Sequence, residues 1–401
     1  MRDRAVLNSQ LLCPEARVLL LLVQPARFTD DFRVLLSHPD FDWNRLVFLA
    51  QKEKAISALW QALRVLPDGL VPAERSDQLS KLASVTDFRM LHLQRLLAGA
   101  LDTLRDSGTR AMLLKGAGLA LTSYGSFRAR PMYDVDVLVR QDECTSAWQA
   151  LRSAGWLHDE KACPMERYDA HHHLPPLDDP NRTGLSLELH GSPCDAAVGL
   201  TTHDMWEKAR RVDVDGREAW VPCEAHQLIH LCIHFAWSHA LGSAGWRTFR
   251  DAQQIIGSDS FNWNELLRVV STTRAGTSVY WTLRLARTLA QVSVPAHVLE
   301  ALVPPRPESV LSVLERHYTS NLFRFNPAAC PSAALDKRLW SAGMAPRWSG
   351  HGDARPWTRD DEIMEREATR MTVAERLQRQ ALGVRWWLRY CSGLMGVGRI
   401  A

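Results

Sequence analysis

The chain has 401 residues, 46% hydrophobic and 23% charged, which excludes a disordered protein and leaves room for two or three domains with separate cores. A formal charge of +3 is close to balance, so nothing in the total implies a long nucleic acid or a membrane as partner. Eight cysteines without a C-x-x-C pair exclude a disulfide framework and a zinc ribbon, and the apolar run at 18–23 is too short for a membrane span or signal peptide. The expected location is cytoplasmic.

Residues 1–107 read as a helical cap, with helices expected at 16–23, 42–64 and 87–106. In the second, Trp43, Leu46, Val47, Ala50, Lys54, Ile56, Leu59 and Trp60 follow amphipathic spacing, and Pro67-Asp68-Gly69 breaks the chain after it. From residue 110 the pattern becomes an α/β alternation. It gives a strand at 112–114, a helix at 117–123, a strand at 135–139, a helix at 145–153 and a strand at 185–189. A polar, proline-rich insertion at 156–184 carries His171, His172 and His173 ahead of Pro175-Pro176 and is expected as a hairpin or loop at the sheet edge.

Beyond residue 194 the chain returns to helices. Val212-Asp213-Val214-Asp215-Gly216 reads as a hairpin with an Asp-Gly turn, followed by helices at 224–240, 246–256, 263–272 and 279–291 and weaker ones to 321. The segment 330–359, rich in Pro, Gly, Ser and Trp, reads as an extended linker, and 361–390 as a last helix. The expected fold class is α/β (α+β), a small mixed sheet with flanking helices plus N-terminal and C-terminal helical regions. The expected divisions are a cap at 1–107, a core at 108–194, a helical domain closing the cleft at 195–330, and linker with helix at 331–401.

Chemistry concentrates in the core. Asp134 and Asp136 alternate with apolar residues in Met132-Tyr133-Asp134-Val135-Asp136-Val137-Leu138-Val139, so on a strand they share a face. An Asp-x-Asp arises about once by chance in such a length, and Asp213-x-Asp215 is a second copy assigned to a turn. Two carboxylates on one face of an apolar strand repel and are costly to desolvate without a cation between them. Oxygen-only ligands favour Mg2+ or Mn2+ over zinc. Glu188, in Leu185-Ser186-Leu187-Glu188-Leu189-His190, adds a third acid if its strand lies beside the first. Lys115-Gly116 ends a strand and opens a helix at Ala117, a place where backbone amides bind phosphate and glycine lets it approach. It is not a Walker loop.

Together these residues resemble the polymerase-β-like nucleotidyltransferase superfamily, most closely an uncharacterised bacterial branch with Lys-Gly in place of Gly-Ser. The resemblance covers about residues 110 to 191. It rests on Lys115 and Gly116 at the turn, Tyr124 after the helix, Arg130 before the carboxylates, Asp134-x-Asp136, and Glu188 with His190 as the acid-x-His strand. It implies transfer of a nucleoside monophosphate from a nucleoside triphosphate to a hydroxyl acceptor. Asp134, Asp136 and Glu188 would be metal ligands, Asp136 and Glu188 catalytic, and Lys115, Gly116, Ala117 and Arg130 would bind phosphate. The serine usual after the glycine is Ala117 here, which leaves phosphate to backbone amides and Lys115. Alternatives are a non-catalytic nucleotide- or partner-binding member, and a phosphotransferase acting on the γ-phosphate. The acceptor could be a small molecule, a peptide natural product, or a protein or RNA end.

Other candidates carry a bland reading beside the sharp one. His226, His230 and His234 lie four residues apart on one expected helix, where two could share a metal; a polar face with His234 as a substrate contact is preferred. Three adjacent side chains in an extended segment do not point to one ion, so His171–His173 read as surface polarity. Arg247, a further candidate substrate contact along with Tyr124 and His190, lies near Arg250 and Asp251, where ion pairing is the default. Arg385-Trp386-Trp387-Leu388-Arg389-Tyr390 reads as a docking helix for a groove on this chain or a partner protein.

Overall fold

The computed structural model describes residues 11–24, 29–168, 171–323 and 333–344. Contacts group the chain into two compact units: a sheet unit of Lys54–Leu231 and Arg250–Gly276, and a helical unit of Met1–Glu53, Cys232–Phe249 and Thr277–Ala401. The helical unit opens with α1 (Pro14–Leu21), α2 (Thr29–Leu36) and α3 (Trp43–Lys52). Buried Glu15 on α1 accepts from the amide of Asp42, whose own carboxylate caps α3 by accepting from the amides of Asn44 and Arg45.

The helix expected to run unbroken over 42–64 is divided. After α3 the chain passes through Lys54 at φ 58° before α4 (Ile56–Leu63) begins, and a left-handed residue cannot continue a right-handed helix. The apolar spacing hid the break because both pieces bury a face: Leu46, Val47, Leu49 and Ala50 in one, Ile56, Leu59 and Leu63 in the other. The next helix, α5 (Ala73–Asp106), starts earlier than the expected 87–106, and its buried residues begin at Leu79 and Ala83. Its stripe of Met90, Leu93, Leu97, Leu101 and Leu104 packs into the core of the sheet unit.

That core lies on one face of a six-stranded mixed sheet. The elements that build it are β1 (Met112–Leu113), α6 (Lys115–Thr122), β2 (Asp134–Leu138), α7 (Cys144–Ser153), β3 (Leu177–Asp178), β4 (Ser186–His190), α8 (Thr202–Glu207), β5 (Arg210–Val214) and β6 (Arg217–Val221). The strand order is β3-β4-β2-β1-β6-β5, with β2–β4 and β1–β6 parallel. The insertion at 156–184, expected as a hairpin or loop at the sheet edge, supplies edge strand β3, antiparallel to β4. The Asp-Gly hairpin forms, with Asp215 and Gly216 at φ 50° and 81°, and β6 joins it to the same sheet beside β1. Alternation sends Val135, Val137, Leu187 and Leu189 into the core and leaves Asp134, Asp136, Ser186, Glu188 and His190 on the opposite face.

Downstream, α9 (Glu224–Trp237), α10 (Gly245–Ile256) and α11 (Trp263–Ser271) precede α12 (Gly276–Ala290), α13 (Ala296–Leu302) and α14 (Glu308–Asn321). Part of the expected linker is instead α15 (Ala333–Gly343). Its sequence holds no proline and buries Trp340, whose Nε1 donates to the Ala236 carbonyl, while Asn321 donates to Asp336. The helix expected at 361–390 lies outside the described residues. Among those described, no helix is long and apolar enough to cross a membrane.

Helix α6 lies so close to β1 that a Cβ at Gly118 would meet the Leu113 carbonyl oxygen at 2.6 Å, whereas one at Gly116 would meet the flexible Met132 Sδ at 3.1 Å. Gly118→Ala is expected to lower the unfolding free energy by about 1 to 3 kcal/mol, as overpacking does, and Gly116→Ala by less. Urea denaturation of the two variants checks this; equal effects would mean that the α6–β1 approach is not limiting.

Candidate active site

The parallel register of β2 on β4 places Asp136 directly opposite Glu188, with Asp134 opposite Ser186 and Leu138 opposite His190. On the other side of β2, β1 runs into Leu114, whose amide donates to the Asp136 carbonyl, and the next residue is Lys115. Lys115 Nζ therefore reaches Asp136 Oδ1 at 2.6 Å. His190 Nε2 donates to the same oxygen at 3.0 Å and stands 3.7 Å from Glu188 Oε2. Asp136, Glu188 and His190 each offer a ligand atom within 4.8 Å of the others.

Asp136 and His190 are buried, Lys115 and Glu188 partly so, and the charges of Asp136, Lys115 and His190 are supported by their neighbours. Burial opposes the charge of Asp136, but Lys115 and His190 outweigh it and keep the carboxyl well below the usual range. Burial likewise opposes the Lys115 ammonium, and Asp136, Glu188 and Asp134 together raise its pKa. For His190, hydrogen bonds to Asp136 and Glu188 overcome burial and raise the imidazole above its ordinary value. Its Nδ1 is buried with no hydrogen-bond partner among the described residues.

The expected metal trio was Asp134, Asp136 and Glu188; the trio that converges is Asp136, Glu188 and His190. Asp134 is more exposed and accepts from Lys54 Nζ at 3.2 Å. Lys54 is a site residue that the sequence reading placed on a helix face. Its signal was there, since it is one of only seven lysines and sits on an otherwise apolar stripe. Two carboxylates with an imidazole suit a divalent cation, and the carboxylates are the hard oxygen ligands that magnesium or manganese takes.

The phosphate candidates divide. Helix α6 starts at Lys115, earlier than expected, and no side chain caps its first amides. That leaves donors for an anion beside the carboxylates. Ala117 turns its methyl into the core, so it offers an amide only. The space beside Gly116 is filled by Met132 and Arg130 rather than left open. Arg130, expected at phosphate, is buried and committed elsewhere. Its Nε and Nη2 donate to the two oxygens of Asp251 at 2.6 and 2.7 Å, and its Nη1 to the Pro131 carbonyl. Tyr124, a candidate substrate contact, also donates to Asp251, at 2.7 Å. Burial and the Asp251 charge raise the Tyr124 phenol, so it stays neutral.

The histidines depart most from expectation. The backbone turns at His171, whose amide donates to Tyr168, and His173 then pairs with His190 as an isolated bridge. Because the segment is bent rather than extended, the three rings of His171–His173 gather, with centroids 4.2 to 4.9 Å apart. Reading them as dispersed surface polarity is therefore corrected. Burial, then repulsion from His190, lowers all three pKa values, His173 to about 4. On α9, His226 contacts Cys223 Sγ at 3.3 Å. Buried His230 is pushed down to about 3 by burial, then by Lys115 and His190. His234 and Arg247 belong to the helical unit, where each lies against His239.

A nucleotidyltransferase class, implied by resemblance, is now met by a family comparison. Residues 39–291 match the family described as uncharacterised nucleotidyltransferase, and the chain belongs to that family. No curated protein and no solved structure matches it.

The Arg130–Asp251–Tyr124 group joins α10 to the segment leading into β2. Asp251→Asn is expected to cost about 3 to 5 kcal/mol, the range for leaving a buried partner charge unpaired. Tyr124→Phe is expected to cost about 1 kcal/mol, one net hydrogen bond. Chemical denaturation measures both, and an Asp251→Asn cost no greater than that of Tyr124→Phe would contradict a buried ion pair.

Proposed function

We propose that this chain is a metal-dependent nucleotidyltransferase that moves a nucleoside monophosphate from a nucleoside triphosphate to a hydroxyl acceptor. The observation that carries the reading is Asp136 in register with Glu188, beside Lys115 and the uncapped start of α6. Mg2+ or Mn2+, when bound by these carboxylates with Asp134, supplies Lewis-acid stabilisation of an in-line displacement at phosphorus. The chain's own groups do the rest. The amides at the start of α6 and the Lys115 ammonium bind phosphate oxygens. Glu188 accepts the proton of the attacking hydroxyl, and pyrophosphate leaves. His190 holds the Asp136 carboxylate in place through its Nε2, and Lys54 holds Asp134.

A second reading keeps the fold as a nucleotide- or partner-binding module without turnover. It is favoured by Lys115 Nζ standing on the same Asp136 oxygen that a metal would take. Incubation with ATP labelled at the α or the γ position, with Mg2+ and a panel of hydroxyl acceptors, separates the readings. Transfer of α label alone is expected. Transfer of γ label would show a phosphotransferase, and nucleotide binding without transfer would support the second reading.

Glu188→Gln, at a half-buried side chain, is expected to reduce α-label transfer by about 10² to 10⁴-fold, as loss of a proton-accepting group does. Asp136→Asn is expected to abolish it with circular dichroism unchanged. Near-parental turnover in either variant contradicts its assigned role.

A further inference from the structure

We propose that His171, His172 and His173 form a second cation site, selective for a borderline transition metal such as zinc, next to the carboxylate pair. One nitrogen from each ring lies within 4.8 Å of the others. The geometry is built by the backbone rather than by chance proximity of mobile side chains. The carbonyl of His172 accepts from the amides of Gly191 and Ser192, and the amide of Leu174 donates to the Leu189 carbonyl, so the middle of the triplet and the residue after it are tied to the end of β4. Tyr168 packs against the rings of His171 and His173.

The chemistry of the donors is specific. His173 Nδ1 faces the Leu174 carbonyl at 2.8 Å, and since a carbonyl only accepts, that nitrogen carries the proton. The lone pair is then on Nε2, the tautomer that a metal-bound histidine takes when its other nitrogen is fixed by a backbone carbonyl. A second observation points the same way. The His190 ring lies 5.4 Å from that of His172 and 5.0 Å from that of His173, and it is fully buried with an unpartnered Nδ1. Three imidazoles gathered at one place and bordered by a fourth ring form a nitrogen-rich donor set for a cation.

Imidazole nitrogens favour zinc and its neighbours over magnesium. Zinc holds tetrahedral ligands about 3.3 Å apart, so the rings need only draw in from their 4.8 Å limit. Glu188 Oε2, 3.9 Å from His173 Nε2 and 3.7 Å from His190 Nε2, stands between the two sites and is the natural fourth ligand or bridge. The two sites thus differ in hardness, oxygen on one side of Glu188 and nitrogen on the other.

The test uses the full-length untagged protein, with no nucleotide present, so its outcome is independent of the proposed reaction. Zinc titration against a chromophoric chelator is expected to show one zinc ion per chain, undisplaced by excess Mg2+. Cobalt titration is expected to give the visible absorption of a four-coordinate nitrogen site. His171→Gln, at an exposed side chain, and His173→Gln are each expected to weaken zinc binding by about 10 to 100-fold, while His226→Ala leaves it unchanged. Absence of stoichiometric zinc binding by the parent, or parental affinity in both glutamine variants with folding retained, overturns the proposal.

Discussion

The burial of an ionised Asp136 is the constraint on which the site depends. The residue is 3% exposed, and an unpaired carboxylate at that depth costs several kcal/mol. Lys115 and His190 offset the cost, and each imposes a condition on the fold. For Lys115 to reach Asp136, β1 must be short and antiparallel to β2, and the chain must enter α6 at once. Lys115 accordingly takes φ 45°, a left-handed conformation that an L-residue adopts at a cost of about 1 to 2 kcal/mol. For His190 to reach it, β4 must pair with β2 in the observed register; a slip of one residue would turn Glu188 and His190 into the core and Leu187 and Leu189 out of it. The apolar residues thus fix the register that the charged ones need.

The same logic separates two kinds of charged residue in this unit. Asp136, Glu188 and Lys115 face one another across strands with amides left free nearby. Arg130 and Asp251 saturate each other, with the Tyr124 hydroxyl and the Pro131 carbonyl completing the set. A guanidinium whose three nitrogens are all engaged in a buried network holds two segments together. Its bidentate face is taken by the Asp251 carboxylate and so is not offered to a phosphate.

Much of this was legible in the sequence because its signals are local. Period-two alternation marked the Asp134 and Glu188 strands and their faces, and Asp215-Gly216 marked the hairpin. What was not legible depended on contacts far apart in sequence. The division at Lys54 follows from one positive φ inside a continuous apolar pattern, and its pairing with Asp134 spans 80 positions. Arg130 read as a phosphate ligand because its partner lies 121 positions away on another helix. The clustering of His171–His173 needed the bend and the bridge to His190, neither of which periodicity reports. Helix α15 was hidden by the prolines and glycines on either side of it.

A count of charges bears on how the proposed substrate would enter. Asp134, Asp136 and Glu188 bring three acidic groups and Lys54 and Lys115 two ammonium groups, with His190 donating to Asp136. The two ammonium groups offset most of the carboxylate charge, which reduces the pull on a free divalent cation. A nucleoside triphosphate arriving without metal would add negative charge beside three carboxylates, which is unfavourable at this burial. A metal–nucleotide complex solves both problems. With such a complex bound, Lys115 would bind phosphate oxygens, and Asp136 and Glu188 would hold the metal. On the proposed reaction, Lys115 is then a placeholder cation that keeps Asp136 ionised until the substrate brings the metal with it.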